Sequence, residues 1–241
     1  MHTKQEPSDA PVVVREFDSW EEFVAVARDG KTTLTEGERA SMRKDNKGNW
    51  YGSESLTHAA HLALDGDWMP PGANDLRQAM LNKVSSLIDV EHTVYRDEPG
   101  YGFDVGELVT GSPDYWLDVY TEQQEAPGRV FRIVLNMSAS GGVASPIIIA
   151  RGVATAVLAE ILEMKGHTVE VIAADAARKN GRVYEVYVTV KPAGLPIDFA
   201  RLIFALAHPS TLRRLMFSWE EQEPPSIRSA FGFHNYGGYG Y

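Results

Sequence analysis

The oxygen donors best placed by spacing to do chemistry lie in Asn136-Met137-Ser138-Ala139-Ser140-Gly141-Gly142, directly after the apolar run Val130 to Leu135. Side-chain oxygens at 136, 138 and 140 alternate along the loop and suit a hard cation such as magnesium, which takes oxygen ligands. Asn136 is neutral, and neutral oxygens alone bind magnesium poorly, so no cofactor is expected and magnesium is the one candidate. The competing expectation is that Ser138 and Ser140 cap the following helix and satisfy its free amides. Arg213-Arg214, beside Thr211 and downstream of Arg201, form the one notable basic cluster. Such a pair suits a phosphate or carboxylate, though ion pairs with Glu220 and Glu221 a turn or two later are the simpler expectation. His58 and His61 share a helical face without an acidic residue to complete a zinc motif. His208 precedes Pro209, where helical geometry is disfavoured, and its imidazole is expected to bond a freed carbonyl.

The segment from Phe231 to Tyr241 holds only glycine and aromatic residues apart from His234 and Asn235. Phe231, Phe233, Tyr236, Tyr239 and Tyr241 are expected to anchor a partner, with packing back onto the chain's own domain as the alternative. Several chemistries are excluded or disfavoured. There is no cysteine, hence no thiol nucleophile, disulfide or Cys-based metal site. Neither a G-x-x-x-x-G-K-[ST] phosphate loop, a G-x-G-x-x-G fingerprint nor a G-x-S-x-G elbow is present. With 23 basic against 33 acidic residues the net charge is −10, which opposes binding to a phosphate backbone.

These residues must be positioned by a chain of 241 residues, 44% of them hydrophobic, which is enough for one large domain or a core with appendages. No apolar run nears the roughly 20 residues that cross a bilayer, and residues 1 to 10 lack a secretory pattern, so a cytoplasmic protein is expected. Residues 1 to about 15 read as a loose arm despite Val12-Val13-Val14. Ser19-Trp20-Glu21-Glu22 has the form of a capping box opening a helix that Gly30 stops. Residues 31 to 54 read as a long loop, and Ser55 to Leu64 and Asn74 to Ile88 as two further helices. Val90 to Tyr95 is a strand candidate. Residues 130–135 form a second strand, Ile147 to Lys165 a long apolar helix ended by Gly166, and Thr168 to Ala173 and Arg182 to Lys191 two more strands. Strand, helix, strand implies a parallel pair, and the Asn180-Gly181 turn implies an antiparallel return at the sheet edge. Ile197 to Ala207 is a helix with Asp198 in its first turn, and Thr211 to Trp219 a further helix or strand.

The Asn136-x-Ser138-x-Ser140 spacing resembles the D-x-S-x-S metal loop of von Willebrand factor type A domains, and the order of elements over about 130 to 191 is similar to theirs. Asn136 stands where that family has an aspartate, so the resemblance implies its fold with a degenerate metal loop. Gly100-Tyr101-Gly102-Phe103-Asp104-Val105, Gly111-Ser112-Pro113, Arg151-Gly152 within 138–152, and the stretch from Ile197-Asp198 through His208-Pro209-Ser210 to Arg213-Arg214 resemble an uncharacterised bacteriophage and mobile-element family over roughly 55 to 241. That resemblance implies a phage origin and a role in assembly or in handling host or viral components.

The expected architecture is α/β with three layers, a mostly parallel sheet with an antiparallel edge strand, and an N-terminal helical subdomain. Its divisions are an arm at 1–15, helices at 16–89, a core at 90–223 and a tail at 224–241. The expected function is non-enzymatic binding of a protein partner, or self-association, through Asn136, Ser138, Ser140, Arg213, Arg214 and the aromatic tail. Two alternatives stay open: a metal-dependent enzyme or binder acting on nucleic acid or a phosphorylated ligand, and a virion structural component.

Overall fold

The structure is a computed structural model that describes residues 12–44, 50–85, 92–96, 102–103, 105–110, 116–121 and 128–234. In chain order the elements are β1 (Val12–Phe17), α1 (Trp20–Asp29), α2 (Leu56–Asp65), α3 (Ala73–Ser85), β2 (His92–Arg96), β3 (Gly102–Phe103), α4 (Val105–Thr110) and β4 (Trp116–Thr121). They continue with β5 (Val130–Asn136), α5 (Ser145–Met164), β6 (Thr168–Lys179), β7 (Arg182–Lys191) and α6 (Phe199–Ala207). A π-helical segment, Thr211–Met216, then runs into α7 (Phe217–Glu220) and is followed by α8 (Pro225–Phe231). The loop of residues 31–54 contains only the short 3-10 turns Glu36–Glu38 and Ala40–Met42 among its described residues.

The main sheet has the order β1-β7-β6-β5. β5 lies parallel to β6, β6 antiparallel to β7, and β1 parallel to β7. The β6–β7 return has the expected cause. Asn180 and Gly181 sit at φ 51° and 74°, the left-handed pair that a two-residue hairpin turn requires. β7 is not the edge, however, because β1 pairs along it from Val12↔Val183 to Phe17↔Val188. The strand β1 also corrects the expectation of a loose arm through residue 15. Val12-Val13-Val14 is the local signal for it, and the partner that turns those residues into a strand lies at the other end of the sequence.

Burial alternates with period two, as a sheet with one covered face demands. Val169, Val171, Ala173, Asp175 and Ala177 of β6 and Tyr184, Val186 and Val188 of β7 are buried. Glu170, Ile172, Ala176, Val183, Glu185 and Tyr187, on the opposite face, are half-exposed. Helices therefore cover one face of the described sheet, where three layers would need both. On the covered face Phe17 meets the rings of Phe23 and Trp219 edge-on at 5.2 and 4.9 Å.

Two compact units make up the chain, one of Met1–Arg77 with Arg129–Tyr241 and one of Gln78–Gly128. The second contains the antiparallel sheet β2-β4-β3. α1 and α2 belong to the first unit with the main sheet, so the divisions fall elsewhere than at residues 89 and 223. Trp20 Nε1 donates to Ala63 O at 2.9 Å, and Ser218 Oγ donates to Ala27 O at 2.6 Å, which knits α1 to α2 and to α7.

Local signals set the helix ends. Ser19 Oγ accepts from Glu22 N–H at 3.1 Å, the serine half of a capping box, and Ser55 does the same for His58 N–H. Asp198 caps α6 by accepting from Arg201 N–H at 3.1 Å. α5 ends in a Schellman motif: Gly166 takes φ 78°, with Gly166 N–H bonded to Glu163 O and His167 N–H to Leu162 O.

α5 crosses α6 at Gly152, where an added Cβ would lie 2.2 Å from Leu206 O and 2.3 Å from Ala207 Cα. Gly→Ala inside a helix ordinarily stabilises by about 1 kcal/mol. Here overpacking against backbone reverses the sign, and Gly152→Ala is expected to destabilise by about 1–3 kcal/mol. Urea unfolding followed by far-UV circular dichroism checks this. A midpoint equal to or above that of the natural protein would contradict so close a crossing.

Candidate functional site

Parallel pairing of β5 with β6 sets Asn136 opposite Ala174, and Met137 N–H donates to Ala174 O at 2.6 Å. The loop of residues 136–142 therefore leaves the sheet over the second half of β6. Asn136 Oδ1 accepts from Ser138 N–H at 2.9 Å. Ser138 Oγ donates to Asp175 Oδ1 and accepts from Ala176 N–H at 3.0 Å, which stitches the loop to β6. Ser140 is exposed, with Oγ 3.5 Å from Gly142 N. Neither serine caps α5. Its N-cap is Ala144, without a side-chain bond, and Pro146 occupies the first turn. The capping expectation fails because the loop is drawn sideways to β6 before the helix begins. Among the described residues no group of three or more His, Asp or Glu is arranged to hold a metal ion.

Beneath this loop the covered face of the sheet is ionisable. Asp175 is 1% exposed and Glu220, at the end of α7, is 0% exposed. The two carboxyl groups are neighbours, and burial pushes both upward from the ordinary carboxyl range, Glu220 strongly. Two neighbours of Glu220 have cationic partners. Glu221 accepts from Arg39 Nε at 3.0 Å and Ser41 N–H at 2.9 Å. Glu223 takes a two-pronged contact from Arg15 at 2.8 and 3.0 Å and a bond from Tyr184 OH at 2.8 Å. Trp219 Nε1 in turn donates to Tyr184 OH at 2.9 Å. Burial, then the Glu223 and Glu220 charges, hold the Tyr184 phenol well above its usual range.

Arg213 and Arg214 are each 1% exposed, which closes them to an external anion, and the hydrogen bonds described for their guanidiniums go to backbone and hydroxyl oxygens. Arg213 donates to Trp50 O at 2.6 Å and Val143 O at 2.7 Å, with its guanidinium 4.1 Å from the Trp50 ring centre. Arg214 donates to Ser41 O at 2.6 Å, Arg43 O at 2.8 Å and Ser53 O at 3.1 Å, and lies 4.0 Å from the Tyr51 ring centre. The π-helical turn sets two consecutive arginines against different strands of loop. Their cations face carbonyl oxygens and rings, while Glu220 and Glu221 face the sheet and the 39–41 loop.

The root of the aromatic tail reaches the same end of the sheet. Phe231 (2% exposed) and Phe233 (0% exposed) stack on each other and pack against Tyr184 at 5.5 and 4.9 Å. These two rings are core, correcting their expected role as partner anchors. Tyr184 pairs with Ala177, one residue beyond the Ala176 that Ser138 engages. Tyr236, Tyr239 and Tyr241 lie outside the described residues.

Sequence reasoning missed Asp175, Glu223 and Tyr184, and named Glu220 only as a partner for the arginines. A signal for Asp175 was present: it holds the buried phase of the alternation Val169, Val171, Ala173, Asp175, Ala177. His58 and His61 are exposed on α2. His208 is buried, stacked on Phe204 with ring centres 4.4 Å apart and edge-on to Trp68. Its Nδ1 accepts from Ser210 N–H at 3.1 Å instead of donating to a freed carbonyl. Gly52, at φ 76°, allows the close approach, since a Cβ there would lie 2.9 Å from His208 Cε1.

Fold and site together define an α/β protein whose polar groups converge at one end of the main sheet. The chain belongs to the family described as Domain of unknown function (DUF7192), whose model matches residues 2–241. Comparison with curated proteins and with solved structures finds no match.

Burial, then the nearby His58, pushes His208 down to about 3. The folded protein keeps the imidazole neutral while the unfolded chain protonates below about 6.5, so this contribution is complete above that pH and declines as pH falls toward 3. His208→Asn should flatten the pH dependence of unfolding free energy between pH 6 and 4 by up to about 1.4 kcal/mol per unit. Parallel slopes for the two proteins in urea titrations across that range would show that the imidazole is not held neutral.

Proposed function

We propose that the protein is a non-enzymatic, phage-type interaction or assembly protein acting in the cytoplasm. It engages a protein partner or a second copy through loop 136–142 at the sheet end and through the aromatic residues that follow His234 in sequence. In this reading Asn136 and Ser140 contribute the exposed polar part of the surface, and Tyr236, Tyr239 and Tyr241 contribute the rings. One observation carries it: Ser138 on Ala176 and the Phe231–Phe233 root on Tyr184 hold the two segments at adjacent positions of the same sheet end. Anchored phenylalanines followed by a glycine-rich, tyrosine-rich run suit recognition, because rings with a polar tip are common anchors at interfaces.

An enzyme acting on a phosphorylated ligand is less well supported. The Ser138 hydroxyl is engaged by Asp175, the acids beneath are enclosed, and the arginines that would take phosphate face backbone carbonyls. The charge of −10 disfavours nucleic acid. No helix of the described residues is long and apolar enough to cross a membrane.

A chain ending at His234 keeps Phe231 and Phe233 and is expected to unfold at the same temperature as the full protein. It should lose self-association in sedimentation velocity, or the partner that co-purifies from the native source. An unchanged oligomer profile together with an unchanged partner set would overturn the reading.

A further inference from the structure

Asp175 and Glu220 pose a problem that the rest of the molecule does not solve. No described N–H or O–H reaches Asp175 Oδ2 or either oxygen of Glu220, although all three are enclosed. Two ionised carboxylates facing each other away from water repel strongly, and neither would have a compensating cation. Among the described residues the surrounding elements supply none, and Arg228 of α8, the helix packed on β6, is taken up by Glu223 O and Thr33 Oγ1. From the 136–142 loop comes only the neutral Ser138 hydroxyl. The chain after α7 brings Glu221 and Glu223, whose charges add to the repulsion at Glu220. β7 brings the Tyr184 phenol, and β1 brings Arg15, which is bound to Glu223. Arg39 is bound to Glu221.

We propose that Asp175 and Glu220 share one proton, and that this neutralised pair is a latch that keeps Ser138, and with it loop 136–142, on the sheet. The proton lies between the facing carboxyl oxygens, so the pair carries one negative charge. Asp175 Oδ1 is left as the acceptor of the Ser138 hydroxyl. When a base in solvent removes the shared proton, the second charge forces the carboxylates apart. Asp175 moves off Ser138, and the loop loses its tie to Asp175 and Ala176. The structural latch stands by itself; only its consequence for partner binding rests on the contact role proposed above for the loop.

The sign follows from which state holds the proton more tightly. Both groups are raised in the folded chain, so the folded state keeps a proton that the unfolded chain releases near the ordinary carboxylate range of about 4. This contribution is complete below that range and fades as pH rises toward the pair's own titration. Glu220→Gln replaces the shared proton with a fixed amide donor. Relative to that variant, the folding constant of the full-length natural protein should fall by up to tenfold per pH unit above about 4, until the pair ionises. Asp175→Asn is the second version of the same test. Equal pH dependence in the natural and amide proteins would overturn the proposal. So would one tightly bound metal ion per chain in the natural protein that is lost in Glu220→Gln, because a cation would then occupy the proton's place.

Hydrogen exchange of the 137–143 amides, corrected for intrinsic rates, gives a readout that needs no variant to fold. Protection lost with rising pH supports the latch, and protection independent of pH overturns it. Ser138→Ala should raise exchange at every pH while leaving the pH slope of folding as in the natural protein. If the loop opens with pH while self-association and partner binding do not change, the latch holds and the contact reading fails.

Discussion

A charge enclosed in protein must find its partners there, and this requirement organises the main unit. Arg213 and Arg214 show it most directly. The 39–54 loop has little apolar material of its own, yet its carbonyls at Ser41, Arg43, Trp50 and Ser53, with that of Val143 just before α5, surround the two guanidiniums. A loop ordinarily runs over the surface with its carbonyls in water. Here its carbonyls solvate two buried cations, and Trp50 and Tyr51 supply ring faces over them. Removing one guanidinium would leave several of those oxygens enclosed without donors, which links the loop's order to the arginines more than to its own sequence.

The same requirement, met with opposite sign, shapes the covered face of the sheet. Glu221 and Glu223 each have an arginine, drawn from the 39–41 turn and from β1 respectively. The Arg15–Glu223 contact explains why the first strand joins the sheet beside β7: it carries a cation to an acid that would otherwise lie enclosed and uncompensated. Glu220 alone among the three faces another carboxyl group. Its environment differs because Asp175 occupies an inward position of β6 where the alternation calls for an apolar side chain. An alanine at 175 would fit that pattern, so the acid stands against the local rule, as groups with a role beyond packing often do.

Much of the main sheet was legible because its signals are local. Val130 to Leu135, the alternating Tyr184 to Val190, the Asn180-Gly181 turn and Gly166 after the long helix each have a physical cause within a few residues. β1 was not legible because its partner is far away in sequence. The division of the chain was hidden for a related reason: residues 78–128 interrupt a unit whose two parts recognise each other only once folded. For the site, the loop at 136–142 was visible as a strand-end loop, but Ser138's choice of Asp175 over the helix start depends on the register of β5 against β6. Phe231 and Phe233 looked identical in kind to the tyrosines that follow. A run of rings and glycines does not say which rings turn inward, and for Phe231 and Phe233 it is the far-off Tyr184 that supplies the surface they pack on.

That packing changes what the aromatic segment can do. A run of rings attached by a loose linker would lose conformational freedom on docking, which subtracts from affinity. Two rings seated against Tyr184 fix where the next residues start, so less freedom remains to be lost when they meet a partner. Ser138 does the same for the neighbouring loop by tying it to β6. Pre-organisation at two adjacent points gives one end of this sheet a defined shape, and under the reading proposed above that shape is what a partner would meet.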